Sequence, residues 1–306
     1  LAGARGIESP EGLVDALAEV GYLADDRIAT AVFLALALER PLLLEGDAGV
    51  GKTELALALS RLIGGELIRL QCYEGIDARQ ALYDWDYPRQ LLHLRAVEAT
   101  GAATDTDRLE SELYGERFLV ERPLLRALGS VDPEHPPVLL IDEIDRADDE
   151  FEAFLLELLS SFAVTIPELG TREAVVKPVV VLTSNRTRDL HDALKRRCLY
   201  LWVEHPALER EVAIIRSRVP DADAVLAEQV ALVVRELRAA DLYKPPGVAE
   251  AVDWASALAR LSIERLDEES VLRTLGAVVK YREDEEKLRG QGVSALLKAA
   301  LARGGG

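Results

Sequence analysis

Between the apolar run Pro41-Leu42-Leu43-Leu44-Glu45 and a stretch with helical spacing from Lys52 to Leu62 stand eight residues, Gly46-Asp47-Ala48-Gly49-Val50-Gly51-Lys52-Thr53. No other feature limits so strictly what this chain can fold into. The order G-x-x-x-x-G-K-[ST] between a strand and a helix is that of a phosphate-binding loop. Its glycines let consecutive backbone N–H groups turn toward one anion, and the helix start adds its positive end. From average residue usage, a chain of this length matches by accident on the order of 1% of the time. In such a loop Lys52 reaches the β and γ phosphates of a nucleotide and the Thr53 hydroxyl ligates Mg2+.

The rest of the chain supplies the sheet that this loop needs. Leu67 to Gln71, Val138 to Ile141 and Val179 to Leu182 are short apolar runs of the kind buried in parallel sheets. Helical spacing precedes and separates them, at Glu11 to Val20, Ala24 to Glu39 and Glu150 to Phe162. This alternation predicts an α/β sandwich with right-handed crossovers. After a last strand at Leu199 to Val203 only helices are expected: Leu208 to Val219, Ala222 to Ala240, Val248 to Ile263 and Glu268 to Arg282. The expected architecture is therefore an αβα P-loop core over residues 1–204, followed by a smaller all-α lid over 205–306, with the boundary near His205-Pro206. Pro136-Pro137 and Gly101 to Asp107 read as loops, and Gly304 to Gly306 as a disordered tail or a truncation point.

Composition narrows the function classes. Hydrophobic residues make up 49% of the 306, so the chain is globular, and the net charge of −18 opposes a nucleic-acid surface, which needs a basic stripe. No run approaches the twenty apolar residues of a membrane span, and the first residues do not read as a signal peptide. Cys72, Cys198 and the four histidines lack metal-ligand spacing, and two distant cysteines fit a reducing compartment, so the expected location is the cytoplasm.

Two further strand ends carry chemistry. Val138-Leu139-Leu140-Ile141-Asp142-Glu143 presents two carboxylates where open α/β sheets collect ligands. Asp142 is expected to hold the Mg2+ hydration shell, and Glu143 to activate water against the γ phosphate. Asp148, Asp149 and Glu150 read instead as the acidic start of the next helix. Asn185, after Val179 to Ser184, is placed either to hydrogen-bond the attacking water or the γ phosphate, or as ordinary turn chemistry. In Lys195-Arg196-Arg197, an arginine could complete a neighbouring subunit's site; the plainer reading is surface solubility.

Taken together, Gly46 to Thr53, Leu140 to Ala147, Thr183 to Asn185 and Ala193 to Arg197 resemble the AAA+ ATPases of the MoxR type over nearly the whole chain. Leu70 to Gly75, Ala81 to Tyr87 and Arg196 to Trp202 are similar to the CoxD-like branch, associated with carbon monoxide dehydrogenase maturation. The resemblance implies ATP with Mg2+ bound between subunits of a hexameric ring. It also implies chaperone-like work with a partner carrying a von Willebrand factor A domain, toward metal-cofactor assembly on a client enzyme. Residue by residue, Gly46, Gly51, Lys52, Thr53, Asp142 and Glu143 match the Walker motifs, Asn185 matches sensor 1, and Arg197, with Arg196 beside it, matches the arginine finger. The lid arginine of many such proteins has no counterpart in Lys244-Pro245-Pro246-Gly247-Val248-Ala249, where Lys244 is the basic residue present. The rival readings are a nucleotide-switched scaffold with incidental turnover and a nucleic-acid motor or loader, the latter opposed by the net charge.

Tyr83, Trp85 and Tyr87, interleaved with Asp84 and Asp86, read either as a loop gripping a partner chain or as core packing. The acid is also segregated: residues 1–170 hold 33 of the 54 acidic but 14 of the 36 basic residues. A head-to-tail ring would bring one subunit's acidic face to its neighbour's Arg186 to Arg197 segment.

Overall fold

Leu42, Leu43 and Leu44 are fully enclosed, and with Glu45 they form β1 (Leu42–Glu45) in the computed structural model, which describes residues 7–99 and 106–303. The strands after it are β2 (Leu67–Gln71), β3 (Tyr83–Trp85), β4 (Leu119–Glu121), β5 (Val138–Asp142), β6 (Ala163–Ile166), β7 (Gly170–Glu173), β8 (Val179–Ser184) and β9 (Leu199–Trp202). Five of them make one sheet in the order β2-β5-β8-β1-β9. The pairs β2 with β5, β5 with β8 and β1 with β8 are parallel, so each connection crosses over through helices. In their register Gln71 lies opposite Asp142, Ile141 opposite Leu182, and Glu45 opposite Ser184. These strands thus end nearly level with one another at their C-terminal side, as expected of a sheet that carries its chemistry there.

Contacts divide the chain into two compact units. The first contains Asp26–Glu45 and Thr53–Leu201, together with the helix Pro10–Glu19. Its core joins Leu43, Ile68, Leu139, Ile141 and Leu182 from the sheet to Leu124, Leu155 and Leu158 from the helices. The acidic segment at 148–150 starts a helix as its composition suggests. Asp148 accepts the Phe151 N–H at 2.9 Å, and Asp149 and Glu150 lie in the first turn of Asp149–Ser161.

Two antiparallel strand pairs, β3 with β4 and β6 with β7, lie outside the five-stranded sheet. In the first, Tyr83 and Trp85 lie in β3, and Trp85 is 8% exposed, edge-on to Tyr83 and Tyr114, which is the core-packing alternative for that one residue. Tyr87 opens the helix Tyr87–Ala99 and is 61% exposed. Of the expected loop Gly101 to Asp107, residues 101–105 lie outside the described residues, while Thr106 and Asp107 begin the helix Thr106–Leu113. Gly304 to Gly306 also lie outside them.

The second unit contains Gly21–Asp25, Gly46–Lys52 and the chain from Trp202 onward. Its helices are Leu208–Arg218, Ala224–Ala239, Val248–Arg260, Glu268–Val278, Arg282–Gln291 and Val293–Arg303. They enclose Trp254, whose indole N–H donates to Thr274 Oγ1 at 2.7 Å. The helix expected to run to Arg282 stops at Val278, and a new one starts at Arg282. There the Asp284 carboxylate, buried, accepts the backbone N–H groups of Tyr243 and Lys244, a tertiary tie that periodicity does not register. Among the described residues no helix is long and apolar enough to cross a membrane.

Candidate active site

In the first unit, β5 ends in Asp142, a carboxylate only 3% exposed. A buried carboxylate requires donors on both oxygens. Oδ1 accepts from the hydroxyl of Thr183 on β8 and, at 3.1 Å, from that of Thr53 at the start of the helix Lys52–Ile63. Oδ2 accepts from Nε of Arg69 on β2 at 3.0 Å and from the same guanidinium's Nη2. The Thr53 hydroxyl and the Asp142 carboxylate are hard oxygen donors of the kind Mg2+ takes, and a guanidinium stands as a cation on the outer carboxylate oxygen. This donor set fits a magnesium ion bound through Thr53 and, directly or through water, through Asp142.

Glu143 follows with φ 55° and ψ 50°, a left-handed conformation uncommon for a residue with a long side chain. Its N–H donates to Thr183 Oγ1 at 2.9 Å, so one buried threonine fixes both carboxylates: it accepts from the Glu143 backbone and donates to the Asp142 side chain. On the Glu143 carboxylate, Oε2 accepts from Arg146 Nε at 2.9 Å and from Gln71 Nε2 at 3.1 Å. Oε1 meets Asn185 Nδ2 at 3.5 Å, a separation that leaves this oxygen open to a water.

The loop itself belongs to the second unit from Gly46 through Lys52. Lys52 is 6% exposed, and its ammonium donates to the carbonyls of Gly46 at 2.8 Å and Asp47 at 2.7 Å. Glycine is required twice by close approach. A side chain at position 46 would run into the Val203 carbonyl, and one at 247 would meet Gly49 Cα at 2.7 Å and the Ala48 carbonyl at 2.8 Å. Gly49 and Gly51 also take positive φ, 78° and 96°. The helix Val248–Arg260 starts against this loop. Val248 N–H donates to the Gly49 carbonyl at 2.9 Å, and Glu250 accepts the Gly247 N–H at 2.9 Å. Buried Val50 and the exposed Asp47 side chain complete the loop, with Asp47 Oδ2 3.4 Å from His205 Nε2.

The sequence profile of the AAA domain, dynein-related subfamily, matches residues 41–198, just over half of the chain. The chain belongs to this AAA family. No curated protein sequence matches it. Among solved structures, the RuvB Holliday junction branch migration motor of Thermotoga maritima is 16% identical, with TM-score 0.47 over 92% of this chain and 74% of that one. A point mutant of the same RuvB gives 16% and 0.48 over 90% and 72%, and a candidate ATPase from Cytophaga hutchinsonii 13% and 0.46 over 95% and 93%. As an AAA domain with a P-loop, this chain is a nucleotide-binding ATPase.

Within the AAA domain, Thr53, Asp142, Glu143 and Asn185 come together, whereas Arg196 and Arg197 stand exposed at the end of the helix Asp192–Arg197. Arg40 holds that helix end, donating to the carbonyls of Arg196 and Arg197, the latter at 3.2 Å. Lys195 turns inward toward buried Glu45, 3.9 Å away, and Tyr200 donates to the same carboxylate at 3.1 Å, so surface solubility does not describe Lys195. Lys244 is exposed. The arginine that reaches the start of the helix Val248–Arg260 is Arg238, earlier in sequence. It donates to the Pro246 carbonyl at 2.8 Å and forms a two-pronged pair with buried Glu211 at 2.6 and 2.8 Å. Burial pushes the Cys72 and Cys198 thiols up to about 12, so both stay protonated at neutral pH.

Sequence reasoning missed Arg69, Gln71, Arg238, Gly247 and His205 because each acts through a tertiary contact that no local spacing encodes. Burial, then the charge of Arg238, lowers the pKa of His205 below its ordinary 6.5, while Asp47 opposes the shift and Lys52 adds to it. The sign follows by linkage. Below pH 6.5 the unfolded chain takes up a proton that folded His205 resists, so stability is full above that value and is lost as pH falls through the lower, folded pKa. Denaturant titrations between pH 5 and 8 should show this loss in the unaltered chain and a flatter profile in His205→Gln. Identical slopes would remove His205 as its source.

Proposed function

We propose that this AAA domain hydrolyses ATP with Mg2+ to remodel a protein client, with Glu143 as the base that activates water. The observation that carries the reading is the set of side chains at the ends of β5 and β8. Asp142 is fixed by three side chains, and Glu143 is bonded on one oxygen while the other meets only the Asn185 amide at 3.5 Å. The loop Gly46-Asp47-Ala48-Gly49-Val50-Gly51 offers backbone N–H groups to the phosphates, and Lys52 releases its two loop carbonyls to pair with them. Magnesium bound at Thr53 and Asp142 supplies charge neutralisation at the transferring phosphoryl group. Glu143 Oε1 and the Asn185 amide hold the attacking water between them, and Oε1 takes its proton. Arg197, with Arg196 as its neighbour, serves the site of an adjacent subunit in a hexameric ring.

The similarity of Leu70 to Gly75, Ala81 to Tyr87 and Arg196 to Trp202 to the CoxD-like branch of MoxR-type proteins supports a more specific role. The partner would carry a von Willebrand factor A domain, and the client would be a metalloenzyme of the molybdenum hydroxylase type. Two measurements test the proposal. Phosphate release from ATP should require Mg2+, and Lys52→Ala should weaken binding of a fluorescent ATP analogue by at least about tenfold. Pull-down with ATP present should retain such a partner. Unchanged nucleotide binding in Lys52→Ala sinks the site, and retention of neither partner class sinks the assigned role.

A further inference from the structure

We propose that Arg69 is the resident counter-ion of Asp142 and yields that carboxylate when the site takes up a divalent cation, so that this one ion pair sets the Mg2+ requirement. The proposal rests on the nucleotide-binding function proposed for the same site.

Of the Asp142 oxygens, Oδ1 is satisfied by two hydroxyls, whereas Oδ2 takes two close N–H donors from the Arg69 guanidinium and a long contact of 3.5 Å from the Thr53 hydroxyl. A carboxylate this buried is costly without such a partner. The arginine itself is not trapped. It lies on β2, the edge strand, with its side chain 52% exposed, so the guanidinium has water to move into. Its second partner, Gln71 Oε1 at 2.6 Å, lies two residues along the same face and can keep it near. A doubly charged cation and a guanidinium on the same carboxylate would repel within a few ångströms in a partly dry site, and one excludes the other. Gln71 also donates to Glu143 Oε2, so the chain Asp142–Arg69–Gln71–Glu143 links the cation-binding carboxylate to the base through one strand.

The test compares Arg69→Gln, Arg69→Lys and the unaltered chain by binding of a fluorescent ATP analogue, first in EDTA and then across a series of free Mg2+ concentrations. Analogue affinity in EDTA gives each variant its own baseline, against which the Mg2+ midpoint is read. The Mg2+ midpoint should fall by about tenfold in Arg69→Gln, as expected when a charged hydrogen-bonded competitor is removed, with Arg69→Lys between the two. In EDTA, Arg69→Gln should also melt at a lower temperature than the unaltered chain and recover more of that stability on adding Mg2+. A midpoint unchanged in both variants, or raised in either, overturns the proposal, and Arg69→Lys alone decides the matter if Arg69→Gln does not fold. If the unaltered chain binds no analogue under any condition, the nucleotide reading fails first; if it binds and the midpoint does not move, only the role of Arg69 fails.

Discussion

Glu143→Gln should bind ATP as the unaltered chain does and hydrolyse it at least about a hundredfold more slowly. The substitution removes the proton acceptor while keeping the side chain's length. Gln71 can still donate to its carbonyl oxygen, and the backbone N–H to Thr183 is untouched. Arg146 loses a charged partner, but that pair joins an exposed arginine to a partly exposed carboxylate and contributes little to stability. Single-turnover phosphate release, run beside analogue binding and a melting curve, separates lost chemistry from lost fold. Turnover at the unaltered rate would remove Glu143 as the base.

Arg197→Ala is expected to lower turnover by roughly a thousandfold when subunits assemble, since an arginine finger neutralises charge that appears only in the transition state. Arg196→Ala should cost less. Both side chains are exposed and the helix end is fixed through its carbonyls by Arg40, so neither substitution should unfold the core. Mixing decides whether the arginine acts across subunits. Arg197→Ala chains have an intact Glu143, and Glu143→Gln chains have an intact Arg197, so mixed assemblies should regain part of the activity that each lacks alone. No recovery on mixing would place the arginine's action within its own subunit or nowhere.

The readable parts of this chain are those in which one local pattern suffices. Leu42 to Glu45 followed by Gly46 to Thr53 reads as strand, loop and helix because burial and the glycine positions are consecutive in sequence. β5 and β8 are apolar almost throughout because helices cover both faces of a parallel sheet, and their polar ends stand out for that reason. The antiparallel pair of β3 and β4 gives no such signal: each strand has three residues, and Tyr83 pairs with Glu121 across an intervening helical segment. Arg282–Gln291 is hidden for the opposite reason, being rich in charge with little apolar periodicity to reveal it. At the site, Asp142 and Glu143 are legible because they end an apolar run. Arg69 is not, because only the parallel register of β2 and β5 brings it to Asp142. Arg238 is likewise hidden, ten residues before Val248 and bonded to the Pro246 carbonyl and to Glu211 on the helix Leu208–Arg218.

The left-handed backbone at Glu143 carries a consequence for how this chain changes over time. At φ 55° a glycine or asparagine would sit at lower energy than a glutamate, by something on the order of 1 kcal/mol. Selection for folding alone would then drift away from the carboxylate at the one position where the chemistry needs it. A lineage that lost its need for hydrolysis should shed Glu143 early while keeping Thr183 and Asp142, whose contacts also hold the sheet ends together. Position 143 is thus where duty and stability part company in this fold, and a relative with glycine or asparagine there would be a binder of nucleotide that has retired from turnover.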